Sequence, residues 1–312
     1  MKMKSTHVLF VSLVVTFLSS CASAPKVNVP AASGGEFAAL APGAQVYFYA
    51  DVTRALPILA QVSLTNVNMK QTLGLLEKVD FLSGAVYPKG QTRNMLFHAW
   101  RRRGRIPGGG LLALSNQWKK TASSTGAYYW HSSAYGLSVS IQKTQVFVSD
   151  GDPFIDGPPI TAPEKLAELR QIEDLPELVS GWLENAGIPV NNFLSTLGLP
   201  VRIPLERILF AIHELADPAN QGSSNQGSLY EASLRIETQN ASQARALTSI
   251  LALIRGITEG AAPGADQDFL GILRPLLANP PEQDGSDLLI RTGPLSAEAI
   301  ALLLNRFAAF PG

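Results

Sequence analysis

The chain has 312 residues, 46% of them apolar, and its 25 basic side chains balance 25 acidic ones. Its one cysteine rules out a disulfide framework. After the amino-terminal leader no stretch holds 18 uncharged apolar residues in a row, which excludes further spanning helices and leaves a globular body of one or two domains.

Lys2 and Lys4 precede an apolar run from Val8 to Leu18, too short for a stable spanning helix, so residues 1–20 read as a secretory signal. The run ends in Leu18, Ser19, Ser20 and Cys21. That arrangement resembles the bacterial lipobox. The resemblance implies cleavage before Cys21 and a diacylglyceryl cysteine, palmitate or a similar acyl chain completing the anchor. At about 0.8 kcal/mol per buried methylene, two or three such chains hold a protein on a membrane for its lifetime. A catalytic thiol would need a histidine partner and a folded pocket, which a cysteine between leader and linker lacks. Residues 21–43 read as the lipidated cysteine and a flexible tether, because Ala22 to Gly35 is rich in Ala, Ser, Pro and Gly without any apolar period. Those fourteen residues reach roughly 45 Å when extended. Ala22, in place of an Asp after the cysteine, favours the outer membrane.

The folded body is expected to be α+β, a mixed or antiparallel sheet with packed amphipathic helices. Residues 44–157 form a strand-rich basic half. Gln45 to Asp51, Asn94 to Arg101, Leu137 to Gln142 and Gln145 to Ser149 alternate as strands, interrupted by helical segments over about Thr53 to Ser63 and Met69 to Val79. Pro57 keeps the first of these helices short.

Residues 158–312 read as a helix-rich acidic half, which joins the preceding half in one domain or stands apart. Asp174 and Glu177 form a capping box ahead of an apolar stripe, Leu175, Leu178, Val179, Trp182, Leu183 and Ala186, closed by Gly187. Leu205, Ile208, Leu209, Ile212 and Leu215 make a second helical stripe, with Glu206, Arg207, His213 and Glu214 opposite. Leu229 to Glu237 alternates as a strand and leads into a helix capped by Asn240 and Gln243. Phe269 to Leu277 is helical with a break at Pro275, Leu288 to Thr292 is a strand, and Ser296 to Phe310 is a closing helix. Strand, helix, helix, strand thus recurs, as two similar β-α-α-β halves would, although no residue pattern repeats.

Charge is segregated. Phe81 to Ser149 contains no Asp or Glu but nine bases: Lys89, Arg93, Arg101, Arg102, Arg103, Arg105, Lys119, Lys120 and Lys143. From Asp150 onward 21 acids face 10 bases, a formal charge of −11. The basic segment also carries Trp100, Trp118, Tyr128, Tyr129 and Trp130, a composition suited to anionic headgroups and interfacial depth. The alternative is internal pairing of the basic half with the acidic half. Trp100, Arg101, Arg102, Arg103, Arg105, Trp118, Lys119, Lys120 and Trp182 are the candidate lipid-contact residues. Nucleic acid suits WRRRGR poorly in an exported, tethered chain.

Catalytic patterns are sparse, so the chain is expected not to be an enzyme and to need no metal or cofactor. His98, His131 and His213 are isolated, and His98 reads as a packed strand residue. Gly108 to Gly110 lack a following Gly-Lys-Ser/Thr, and Ser140 with Lys143 spells S-x-x-K inside a strand without its companion motifs. Asp150, Asp152 and Asp156 fail the EF-hand spacing and suit an Asx turn.

In outline VYFYADVTRALPILAQV, the block around LFHAWRRRG and AYYWHSS, and the segment after PELVSGWLENAG resemble spirochaetal, treponemal-type lipoproteins of the outer membrane's periplasmic leaflet. The resemblance implies a mixed α/β body with membrane-inserting amphipathic helices, which perturbs permeability or passes lipophilic molecules without spanning like a porin. Two other readings stand beside it: a periplasmic carrier holding a fatty acid or other lipophile in an apolar cavity, and a structural lipoprotein that assembles with other envelope proteins.

Overall fold

The computed structural model describes residues 35–61, 77–88, 90–106, 109–154, 158–171, 177–188, 190–191, 202–215, 228–260 and 274–302. Cys21, the signal and most of the tether lie outside them. The chain divides into two units, Met1–Ala162 and Pro163–Gly312. Both are antiparallel sheets with a few helices, an α+β architecture.

In the first unit β1 (Val46–Asp51) alternates as its sequence dictates. Asp51 caps α1 (Val52–Leu59) by accepting a hydrogen bond from the Arg54 amide at 3.2 Å. Pro57 stands inside this helix, which ends within two residues of it. The remaining elements are β2 (Phe81–Val86), β3 (Met95–Trp100), α2 (Gly109–Leu114), β4 (Lys119–Ala122), β5 (Tyr128–Ser132), β6 (Leu137–Ile141) and β7 (Gln145–Ser149). The sheet order is β1-β2-β3-β7-β6-β5-β4. The helix expected over Met69 to Val79 falls largely outside the described residues.

Successive side chains leave a strand on opposite faces, so the register assigns each residue to a side. One face packs Val139, Val146 and Val148 against Val52, Ile106, Leu112 and Trp118. Gly84 is on this face, between Phe48 and Phe97 of the flanking strands. A Cβ there would stand 2.4 Å from the Phe48 ring, so only glycine lets the two rings close edge to face at 5.9 Å. The opposite face carries a run of rings in contact: Tyr49, Phe81, Trp100, His98, Phe147 and Phe154. The segment Gly35 to Ala44 packs beside it. Its Ala41 carbonyl accepts hydrogen bonds from the Tyr47 and Tyr87 hydroxyls at 2.9 and 3.1 Å.

The second unit contains α3 (Glu164–Arg170), β8 (Glu177–Glu184), β9 (Leu205–Leu215), β10 (Leu229–Thr238), α4 (Ala241–Gly260), β11 (Glu282–Asp284), β12 (Asp287–Arg291) and β13 (Leu295–Ser296). Its order is β11-β12-β10-β9-β8, with β13 also paired to β10.

Here the reading of a helix-rich half is corrected. From Glu177 the first stripe runs as β8 and the stripe Leu205 to Leu215 is β9, neither helical, so the described residues of the second half do not repeat strand, helix, helix, strand; Asp174 and Leu175 lie outside the described residues. Both strands are apolar on both faces. In β9 Leu209, Ala211 and His213 are buried on one side while Ile208, Phe210 and Ile212 lie on the other, and the register shift opposite Thr238 brings Leu205 into the cluster of Ile208 and Ile236. A strand covered on two sides supplies apolar residues at i, i+3 and i+4 by coincidence, and periodicity alone does not separate it from a helix. His213, expected on a polar face, is fully buried, and its Nε2 donates to the Leu169 carbonyl at 3.1 Å.

The helix after Asn240 forms as its caps require: Asn240 Oδ1 accepts from the Ser242 and Gln243 amides, and Gln243 Oε1 accepts from the Gln239 amide. Ala244 and Leu247 of α4 are buried against the sheet, whereas Leu253, further along, is 63% exposed. Residues 297–302 are helical, and the rest of the expected closing helix lies outside the described residues, as does most of the segment Phe269 to Leu277.

Candidate membrane-contact site

The candidate basic contact residues of the first unit occupy two separate places. β3 runs out of the sheet at Trp100, and the next residues, Arg101 to Ile106, form a loop fastened at both ends to the turn between β6 and β7. The Arg101 amide donates to the Thr144 carbonyl at 2.9 Å, and the Ile106 amide to the Lys143 carbonyl at 3.0 Å. Ile106 is buried in the core, which fixes the loop from inside. Gly104 reverses the chain between these anchors with φ of 88°, a conformation that favours glycine. Arg102, Arg103, Arg105 and Lys143 are exposed as a result. The Arg102 amide donates to Asp80 Oδ2 at 2.6 Å, and its guanidinium lies 4.6 Å above the Phe81 ring.

Lys119 and Lys120 are also exposed, but on β4, which β7, β6 and β5 separate from β3. Four strand spacings make about 19 Å. Lys120 Nζ lies 4.3 Å over the Tyr128 ring, which is 49% exposed.

The tryptophans depart from the expectation. Trp118 is 4% exposed and Trp182 2%, so neither is a surface contact. Trp118 fills the core under α2, and Trp182 is buried with its indole N–H bonded to Glu184 Oε1 at 2.9 Å. An indole removes more apolar area from water inside a sheet than at its rim, and aromatic content alone does not reveal which site it takes. Trp100 is half-buried in the ring contacts, and Arg101 is half-buried beneath Gly104. Lys143 joins the arginines only because β3 pairs with β7, a long-range contact without a local sequence signal.

His98 is 3% exposed, stacked between Trp100 and Phe147. Burial pushes its imidazole down to about 4, against a smaller upward pull from the Gln145 amide. The ring is therefore neutral at physiological pH. Ser140 Oγ donates to the Tyr128 carbonyl, and Asp152 accepts from the Phe154 amide two residues on, an Asx turn. Among the described residues no group of three or more His, Cys, Asp or Glu is placed to hold a metal ion.

All nine ion pairs formed between described residues lie in the second unit. At their centre Asp287 accepts from Lys165 and Arg235, and Arg235 reaches Glu168 and Asp284 as well. Burial pushes the Asp287 carboxyl up, but hydrogen bonds and charge from Lys165 and Arg235 outweigh it and hold the carboxyl below its ordinary range.

No family profile and no curated protein sequence matches the chain. Solved structures do. Crystal form III of TP0453, a treponemal protein, superposes with a TM-score of 0.55 at 16% identity, covering 88% of this chain and all of that one. Crystal form I gives 0.54 at 15% identity, covering 89% and 100%, and crystal form IV 0.50 at 14%, covering 86% and 96%. At these identities the likeness establishes the fold alone: the chain has a TP0453-like α+β fold, consistent with the spirochaetal resemblance of its sequence.

Proposed function

We propose that the chain is a lipid-anchored envelope protein, held at the outer membrane through Cys21 and facing the periplasm. It makes a second, non-covalent contact with anionic lipid, and through it alters permeability or aids uptake of lipophilic molecules. Its role is binding and not catalysis. The observation that carries this reading is the electrostatic division of the body. Among the described residues the bases from Arg93 to Lys143 have no acidic partner in an ion pair, whereas in the second unit Lys165, Arg170, Arg207, Arg235 and Arg255 are paired and Arg202, Arg245 and Arg291 are not. The exposed bases of the first group, Arg102, Arg103, Arg105, Lys119, Lys120 and Lys143, would each contribute about 1 kcal/mol near an anionic surface. Exposed Leu253, on α4, supports an additional apolar contact from an amphipathic helix. The test is sedimentation of mature protein without acyl chains on phosphatidylglycerol vesicles at low salt. Binding that weakens as salt rises is expected; recovery of all the protein in the supernatant overturns the reading.

A further inference from the structure

We infer that the loop Arg101 to Ile106 and the β6–β7 turn together form a phosphate-binding site for the headgroups of anionic phospholipid, which deepens the membrane reading above and rests on it. Three independent features converge there. The loop is built, not merely charged: two backbone hydrogen bonds and a buried Ile106 hold it, and Gly104 turns it. Its outward side chains are three arginines, joined by Lys143 from the turn beneath. Two buried donors on these adjoining connections, Arg101 Nε and Gln142 Nε2, have no hydrogen-bond acceptor. A donor left without an acceptor inside a protein is costly, so both side chains would gain from an acceptor oxygen brought to these connections.

The ligand's chemistry follows from the donors. Guanidinium presents parallel N–H groups that engage two phosphate oxygens at once, and sheds water more readily than ammonium. Asp80 is the acid in contact with the loop, and its Oδ2 is taken by the Arg102 amide. Arg102 is further ordered by the Phe81 ring. All four cations stand on the outside of connections at one end of the strands, which suits a plane of headgroups.

The site makes a claim that general charge attraction does not: lysine should fail to replace arginine. The experiment compares mature chain, the triple variant Arg102→Lys, Arg103→Lys and Arg105→Lys, and the double variant Lys119→Gln and Lys120→Gln on phosphatidylglycerol vesicles and on vesicles made equally negative with a fatty acid. Expected for the arginine-to-lysine variant, which keeps every charge, is about tenfold weaker binding to phosphatidylglycerol and a smaller loss on the fatty-acid vesicles, whose carboxylate also engages guanidinium with two oxygens; an equal loss on both overturns the phosphate assignment. The double variant, which loses two charges, should bind phosphatidylglycerol more tightly than the triple variant does. Equal binding of parent and triple variant to phosphatidylglycerol overturns the phosphate site while leaving membrane association intact. Absence of parent binding to either vesicle overturns the membrane reading on which the site rests. Displacement from vesicles by millimolar inorganic phosphate would assign the loop to a soluble anion and overturn the lipid assignment. Matching thermal melts of the three proteins exclude misfolding, since every substituted side chain is solvent-exposed.

Discussion

The imidazole of His98 lies flat on the phenyl ring of Phe147, with centroids 4.5 Å apart and planes 15° from parallel. Trp100 covers the other side at 4.8 Å. Between them the ring is shut off from water, and its folded-state value of about 4 lies below the ordinary 6.5. The unfolded chain therefore binds this proton more readily. The stabilisation from neutral His98 is complete above pH 6.5 and is lost as pH falls toward 4, up to about 3 kcal/mol for this one group. Denaturant unfolding of parent and His98→Phe between pH 7 and 4 should show a shallower decline in the variant; parallel curves would contradict the assignment.

Burial would raise the Asp287 carboxyl, but Lys165 and Arg235 bring it down, the same direction as His98 for a different cause. Its lowered carboxyl contributes stability above the ordinary carboxylate range, and that contribution disappears as pH falls through the folded value. Asp287→Asn leaves Lys165 and Arg235 without their shared buried partner and should cost about 3 kcal/mol, read from the urea midpoint at pH 7. An unchanged midpoint would mean the remaining acids, Glu168, Glu237 and Asp284, compensate in full.

Gly84→Ala tests packing alone. The added methyl would meet Phe48 at 2.4 Å and Phe97 at 2.9 Å, so one ring must move, at a cost of about 1–3 kcal/mol. Trimming the obstruction with Phe48→Leu in the same chain should recover part of that loss. If the double variant is as unstable as the sum of the singles, the clash is not the cause.

The proposed anchor predicts its own loss. Cys21→Ala should abolish labelling by radioactive palmitate and move the protein into the aqueous phase on detergent partition. Continued labelling would place the acyl chain elsewhere.

Legibility in the sequence followed burial geometry. β1, β3, β6, β7, β10 and β12 lie where alternation or a short apolar run marked them. β8 and β9 read as helices because both their faces are covered. β2, β4 and β5 passed unmarked: Ser83 and Gly84 interrupt any pattern, and Lys119, Lys120 and Tyr128 have the look of a loop. Of the site, the run of arginines was plain, but its backbone fastening and the contribution of Lys143 come from pairing between distant strands. Burial of Trp118 and Trp182 was hidden because an aromatic residue suits a core and a membrane interface alike.

The grip of Tyr47 and Tyr87 on Ala41 shortens the leash. If the chain were free up to β1, the first unit could stand off the proposed anchor by the contour of the 25 steps from Cys21 to Val46, about 85 Å. Because the segment from Gly35 onward is already fastened to the sheet, only the fourteen steps from Cys21 to Gly35 would set the clearance from the proposed anchor, roughly 45 Å. On the proposed anchoring, this tether caps the height of the first unit above the bilayer, and two hydroxyl groups holding Ala41 set the ceiling.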